Sequence, residues 1–116
     1  MKNILLVEDD EALAYSLARH LEAVGYNTTA VTSSMAALKV LDSDGVIDLL
    51  LTDLVMPKGQ PSGLALGRMA RMKRLGIKVA FISGYDFDGS ALPGKLFRKP
   101  IDVDHLVAEV GALLAT

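Results

Sequence analysis

The chain has no cysteine. That excludes a disulfide scaffold, a thiolate metal site and a cysteine nucleophile, and it suits a reducing cytoplasm. Aromatic residues are scarce, at 5% against 51% hydrophobic residues, so Leu, Val, Ala, Ile and Met must build the core. The apolar run that follows Met1-Lys2-Asn3 is Ile4–Val7, far too short for a signal peptide or a membrane span. Strong charge is missing too: a net charge of −2 gives no electrostatic case for nucleic acid. A length of 116 residues leaves room for one domain and no second. The expectation is a soluble, cytoplasmic domain spanning 1–116, with neither nucleic acid nor membrane as a partner. Met1 stands immediately before the first strand-like run, which points to a complete short chain.

What is present alternates. Asn3–Val7 is a continuous apolar run, as in a strand buried on both faces. Glu11–Val24 carries Leu13, Leu17, Leu21 and Val24 at helical spacing and stops at Gly25. Tyr26–Val31 reads as a strand. Ser33 or Ser34 can cap a helix through Leu41, and Val46–Thr52 reads as the central strand. Met56–Ser62 is a loop, Gly63–Leu75 a helix, and Lys78–Ile82 and Lys95–Arg98 are strands. Asp102 can cap a last helix carrying Leu106, Val107, Val110, Leu113 and Leu114. Gly84–Gly94 has little helical periodicity, so a fourth helix between the last two strands is short or absent. The pattern implies an α/β fold with right-handed crossovers: a doubly wound five-stranded parallel sheet in the flavodoxin-like order 2-1-3-4-5.

In such sheets ligands sit beyond the carboxyl ends of the strands, at the switch in strand order. Glu8, Asp9 and Asp10 follow the first strand and Asp53 the third. Ser83 follows the fourth, and Lys99 follows the fifth and precedes Pro100, in an X-Pro bond open to cis or trans. Converging carboxylates repel and raise each other's pKa unless a hard cation such as Mg²⁺ neutralises them. Asp9 and Asp53 suit direct ligation, Glu8 a metal-bound water, and the carbonyl of Val55 a further oxygen. A lysine and a hydroxyl beside such a metal suit a phosphoryl group, with Asp53 as a nucleophile forming an acyl phosphate.

Four stretches carry a close resemblance to the receiver domains of two-component response regulators: Ile4–Asp10, Leu51–Pro57, Phe81–Gly84 and Arg98–Pro100. The resemblance covers essentially the whole chain. It implies a phosphoacceptor at Asp53, an acidic pair at Glu8 and Asp9, a switch hydroxyl at Ser83 and a phosphate-sensing lysine at Lys99. It also implies Mg²⁺ as cofactor and a sensor histidine kinase or histidine phosphotransfer protein as donor. Output then passes through another protein, and the chain is not a turnover enzyme. In that family the donor helix docks beside the first helix and the turn after the lysine, here Leu13, Ser16, Pro100 and Ile101. Three departures stand out. Ser83 and Lys99 are 16 residues apart, fewer than usual, and the loop after Asp53 is long. The aromatic switch position is Leu96, with Phe97 and Tyr85 as possible substitutes. The two positions that influence the hydrolytic water are Val55 and Tyr85, and Val55 cannot orient a water, which implies slow dephosphorylation.

Plainer readings compete. Asp9 or Asp10 can be an N-cap, Ser83 a turn serine and Lys99 a solvated residue. The basic run Arg68, Arg71, Lys73, Arg74 and Lys78 reads as a solvated helix face before it reads as a binding patch. His20 reads as boundary packing on the first helix. The alternative function is a receiver-like interaction module that works without phosphorylation, against which the intact acid–Asp–Ser–Lys set argues. A flavodoxin would want a glycine-rich phosphate loop where Glu8–Glu11 stands, and a haloacid-dehalogenase-type phosphatase a second acid where Val55 stands.

Overall fold

The structure is a computed structural model, and it describes residues 1–85 and 88–115. Asp86 and Phe87, inside the glycine-rich stretch after the fourth strand, lie outside the described residues, as does Thr116. The strands are β1 (Asn3–Val7), β2 (Asn27–Val31), β3 (Leu49–Asp53), β4 (Lys78–Ser83) and β5 (Lys95–Arg98). The helices are α1 (Glu11–Ala23), α2 (Ser34–Leu41), α3 (Gly63–Lys73) and α4 (Val103–Leu114). The sheet has the expected order β2-β1-β3-β4-β5, and every neighbouring pair is parallel.

Side chains alternate across each strand, so the apolar runs feed two cores at once. Ile4, Leu6, Leu49, Leu51, Ile82 and Phe97 pack under α1 and α4. Leu5, Val7, Leu50, Val79 and Phe81 pack under α2 and α3. Strand order reverses between β1 and β3, which places the crevice between their carboxyl ends.

Asp10, Ser33 and Asp102 are the N-caps of α1, α2 and α4. Some boundaries differ from the sequence reading. Tyr26 precedes β2, and Val24 is the C-cap of α1 rather than part of it. The central strand starts at Leu49; Val46 before it is exposed, so apolar character there reflects no burial. The third helix ends at Lys73, because Arg74 is already extended at φ −133°, ψ 95°. Asp53 and Ser83 close their strands rather than follow them, since Leu54 N–H still donates to the Ile82 carbonyl and Lys99 N–H to that of Ser83, each at 2.8 Å.

Between β4 and β5 the described residues hold one 3-10 turn, Gly89–Ala91, where a fourth helix is expected to be short or absent. Gly94 lies flush on β4: a Cβ there would fall 2.2 Å from the Val79 carbonyl oxygen. Leu92 and Leu96, partly buried, close the α3-side core in place of a helix.

The basic run is exposed at Arg68, Arg71 and Lys73, as a solvated face requires, and three of its cations also reach neighbouring loops. Arg74 donates to the carbonyls of Leu41, Ser43 and Gly45, Arg71 donates to that of Pro93, and Lys73 pairs with Asp42 at 2.6 Å. These cations tether neighbouring loops to α3. His20 is exposed rather than packed, its Nδ1 2.7 Å from the Ser16 carbonyl oxygen.

Candidate functional site

The four strand ends converge on one open cleft of about 460 Å³, lined by Asp9, Asp53, Val55, Ser83, Tyr85 and Lys99 among others. Glu8 is fully buried just behind it. Asp10, the third acid of that run, turns away to cap α1, accepting from the N–H groups of Ala12 and Leu13. The first strand therefore supplies two acids to the site, as expected of Glu8 and Asp9, and the third is structural.

Glu8, Asp9 and Asp53 each offer a carboxylate oxygen within 4.8 Å of the others. Lys99 Nζ lies 2.9 Å from Glu8 Oε1 and 3.4 Å from Asp53 Oδ1. The other oxygen of Glu8, Oε2, accepts from Asp10 N–H at 3.0 Å. Burial, then the carboxylates of Glu8 and Asp9, push the Asp53 carboxyl up from 3.8 to about 8, against the pull of Lys99. A hydrogen bond with the Asp53 carboxyl holds Asp9 below the usual carboxylate range. Burial draws the Lys99 ammonium down, but Glu8 and Asp53 outweigh it and leave it raised.

Three carboxyls thus face one ammonium. Among the described residues, Glu8 Oε1 and Asp53 Oδ1 are buried and accept no hydrogen bond, so the Lys99 charge is the compensation they have. A hard divalent cation with oxygen ligands fits this donor set.

Ser83 is buried at the end of β4, and its hydroxyl is held by the next turn. It accepts from Tyr85 N–H at 3.1 Å and lies 3.3 Å from the Tyr85 carbonyl oxygen. The two aromatics proposed to stand in for the switch separate. Phe97 is locked under α4, edge-on to His105, whereas Tyr85 is exposed at the cleft. Leu96 points into the opposite core from Phe97. Lys99-Pro100 is cis. Leu13 and Ile101, from the expected docking surface, pack against the same core and are partly buried.

Sequence reasoning missed three residues that shape the cleft wall. Gly63 N–H donates to the Leu54 carbonyl at 2.7 Å and closes the neck of the long loop after Asp53. A Cβ on Gly63 would fall 1.7 Å from the Asp53 carbonyl oxygen, so no other residue fits there unmoved. Ser34 and Gln60 join that loop to α2. The glycine's place at a helix start after two prolines was the available signal; Ser34 was legible only as a candidate cap, a place Ser33 takes, and Gln60 left no signal.

Comparison with known proteins agrees with this geometry. Residues 4–110 match the response regulator receiver domain family. The response regulator receiver protein CpdR of Brucella abortus is 34% identical over 98% of both chains. The sensor kinase CckA of the same organism is 32% identical over 96% of this chain, which spans 12% of that protein. The crystal structure of the receiver domain from the hybrid histidine kinase CckA superposes with a TM-score of 0.83 at 34% identity, covering 97% of this chain and 98% of that one. A response regulator receiver protein from Sinorhizobium medicae gives 0.88 at 28% identity, covering 99% of this chain and 95% of that one.

Proposed function

The chain belongs to the response regulator receiver domain family, and we propose that it accepts a phosphoryl group on Asp53 from a phosphohistidine of a sensor kinase or phosphotransfer protein. The observation that carries this reading is the buried Asp53 carboxyl, set between two further acids and an ammonium that reaches it and Glu8 together.

In the reaction an Asp53 carboxylate oxygen attacks phosphorus. A P–O bond forms as the P–N bond breaks, and the electron pair leaves on the imidazole nitrogen. Asp9, Asp53 and the Val55 carbonyl suit direct ligation of Mg²⁺, with Glu8 behind them on a bound water. Bound there, Mg²⁺ would supply positive charge for the phosphoryl oxygens and favour the ionised form of the Asp53 carboxyl. Lys99 then exchanges its carboxylate contacts for a phosphoryl oxygen. Ser83 can donate to another only by giving up the Tyr85 carbonyl, so occupation of the site pulls on the 84–85 turn. That turn, which carries exposed Tyr85, is the part we assign to signalling, since Leu96 offers no aromatic ring. The phosphoryl group ends on the protein itself, so the chain acts as a switch rather than as a turnover enzyme. Among the described residues no helix is long and apolar enough to cross a membrane.

The test is an intact mass spectrum after incubation with Mg²⁺ and a small acyl-phosphate donor, with Asp53→Asn in parallel. One phosphoryl adduct, dependent on Mg²⁺ and absent from the variant, supports the reading. No adduct together with no Mg²⁺ binding favours the module that works without phosphorylation.

A further inference from the structure

We infer that Ser34 and Gln60 are positioning residues for this site, a clamp that ties the Val55–Pro57 wall of the cleft to the N-terminus of α2. The inference rests on the function proposed above. Ser33 caps α2, its Oγ accepting from Ala36 N–H at 3.1 Å. Ser34 is then the first helical residue, and its amide has no partner within the helix. It is also fully buried, so water cannot serve it. Gln60 Oε1 accepts that N–H at 2.7 Å, and Ser34 Oγ donates to the Pro61 carbonyl at 2.7 Å. One buried serine thus holds two consecutive residues of the loop after Asp53.

The hold reaches the cleft through a short path. Gln60 N–H donates to the Pro57 carbonyl at 3.2 Å, with Gly59 at φ +90° in the turn between them. Fixing Gln60 therefore fixes Pro57, which lines the cleft with Val55. Val55 is 58% exposed. The direction of its carbonyl is set by its neighbours: strand β3 and Gly63 on one side, buried Met56 and the clamped turn on the other. The long loop is thus pinned at neck and tip, and α2 becomes part of the wall.

The test is calorimetric titration of the full chain with MgCl₂ and no phosphodonor, comparing wild type, Gln60→Leu and Gln60→Glu. Gln60→Leu keeps the bulk and removes the acceptor. Its Mg²⁺ affinity should fall about 3–10-fold, the share expected of one buried hydrogen bond. Gln60→Glu keeps an oxygen for Ser34 N–H at a helix N-terminus and should stay within about twofold of wild type. Ser34→Ala loses the bond to Pro61 and keeps that from its own N–H to Gln60; a fall of about threefold is expected, and it serves where Gln60→Leu does not fold. Unchanged affinity in Gln60→Leu or Ser34→Ala overturns the clamp while the proposed function stands. Equal losses in both Gln60 variants overturn it too, since the acceptor is then not the cause. Absence of Mg²⁺ binding in wild type overturns the proposed function, and the clamp's role with it.

Discussion

Replacing the ionisable carboxyl of Asp53 with an amide should stabilise the metal-free protein while abolishing its chemistry. The native fold keeps a proton on the Asp53 carboxyl to a pH of about 8, whereas an ordinary aspartate loses it near 3.8. Between those values the unfolded chain has released a proton that the native state still binds. Stability from this group therefore falls as pH rises through that window, is fully present below it, and levels off above it. At neutral pH the linkage amounts to about 2–4 kcal/mol against the native state. Asp53→Asn places a neutral group of the same shape beside Glu8, Asp9 and Lys99 and escapes that cost. The assay is thermal unfolding by circular dichroism in EDTA, at acid, neutral and alkaline pH. At pH 7 the variant should melt about 8–15 °C above wild type. The gap should close near pH 4 and widen toward pH 8. Adding MgCl₂ should raise the wild type far more than the variant, because the ligand and the proton compete for one oxygen set. A variant less stable than wild type in EDTA at pH 7, or a gap that does not move with pH, refutes the reasoning.

Gly63→Ala should lower the unfolding free energy by more than about 3 kcal/mol, read by urea denaturation, because its Cβ would fall 1.7 Å from the Asp53 carbonyl oxygen and the end of β3 must move. The phosphorylated protein should dephosphorylate slowly, with Val55 beside the cleft unable to orient a water; loss of phosphoryl label within seconds in a chase would contradict this, and Val55→Asn should shorten the lifetime. Joint Leu13→Ala and Ile101→Ala substitution should slow transfer from a kinase while leaving phosphorylation by a small donor unchanged. Undiminished kinase transfer in a rate comparison would remove that surface from the donor interface.

Much of this protein was legible without coordinates. Short β-branched and leucine-rich runs, four of the five ending in a polar candidate residue, determined the parallel sheet and the edge where the site forms, because a strand buried on both faces can place its chemistry only at its ends. The glycine-rich stretch after β4 likewise foretold a short or absent helix, and its described residues hold one 3-10 turn. Tertiary structure decided what depends on partners far away in sequence. Glu8, Asp9 and Asp10 look alike as letters, yet Asp10 caps α1, Glu8 is buried against Lys99, and Asp9 faces the cleft. Arg71 and Arg74 became tethers because loop carbonyls meet them in space. Phe97 and Tyr85 parted because strand alternation carries one into a core, while the turn after β4 leaves the other at the site. Ser34, legible in sequence only as a candidate helix cap, and Gln60 lie 26 positions apart, and no local signal pairs them. A buried amide finds its acceptor wherever the chain returns, and the fold alone determines that place.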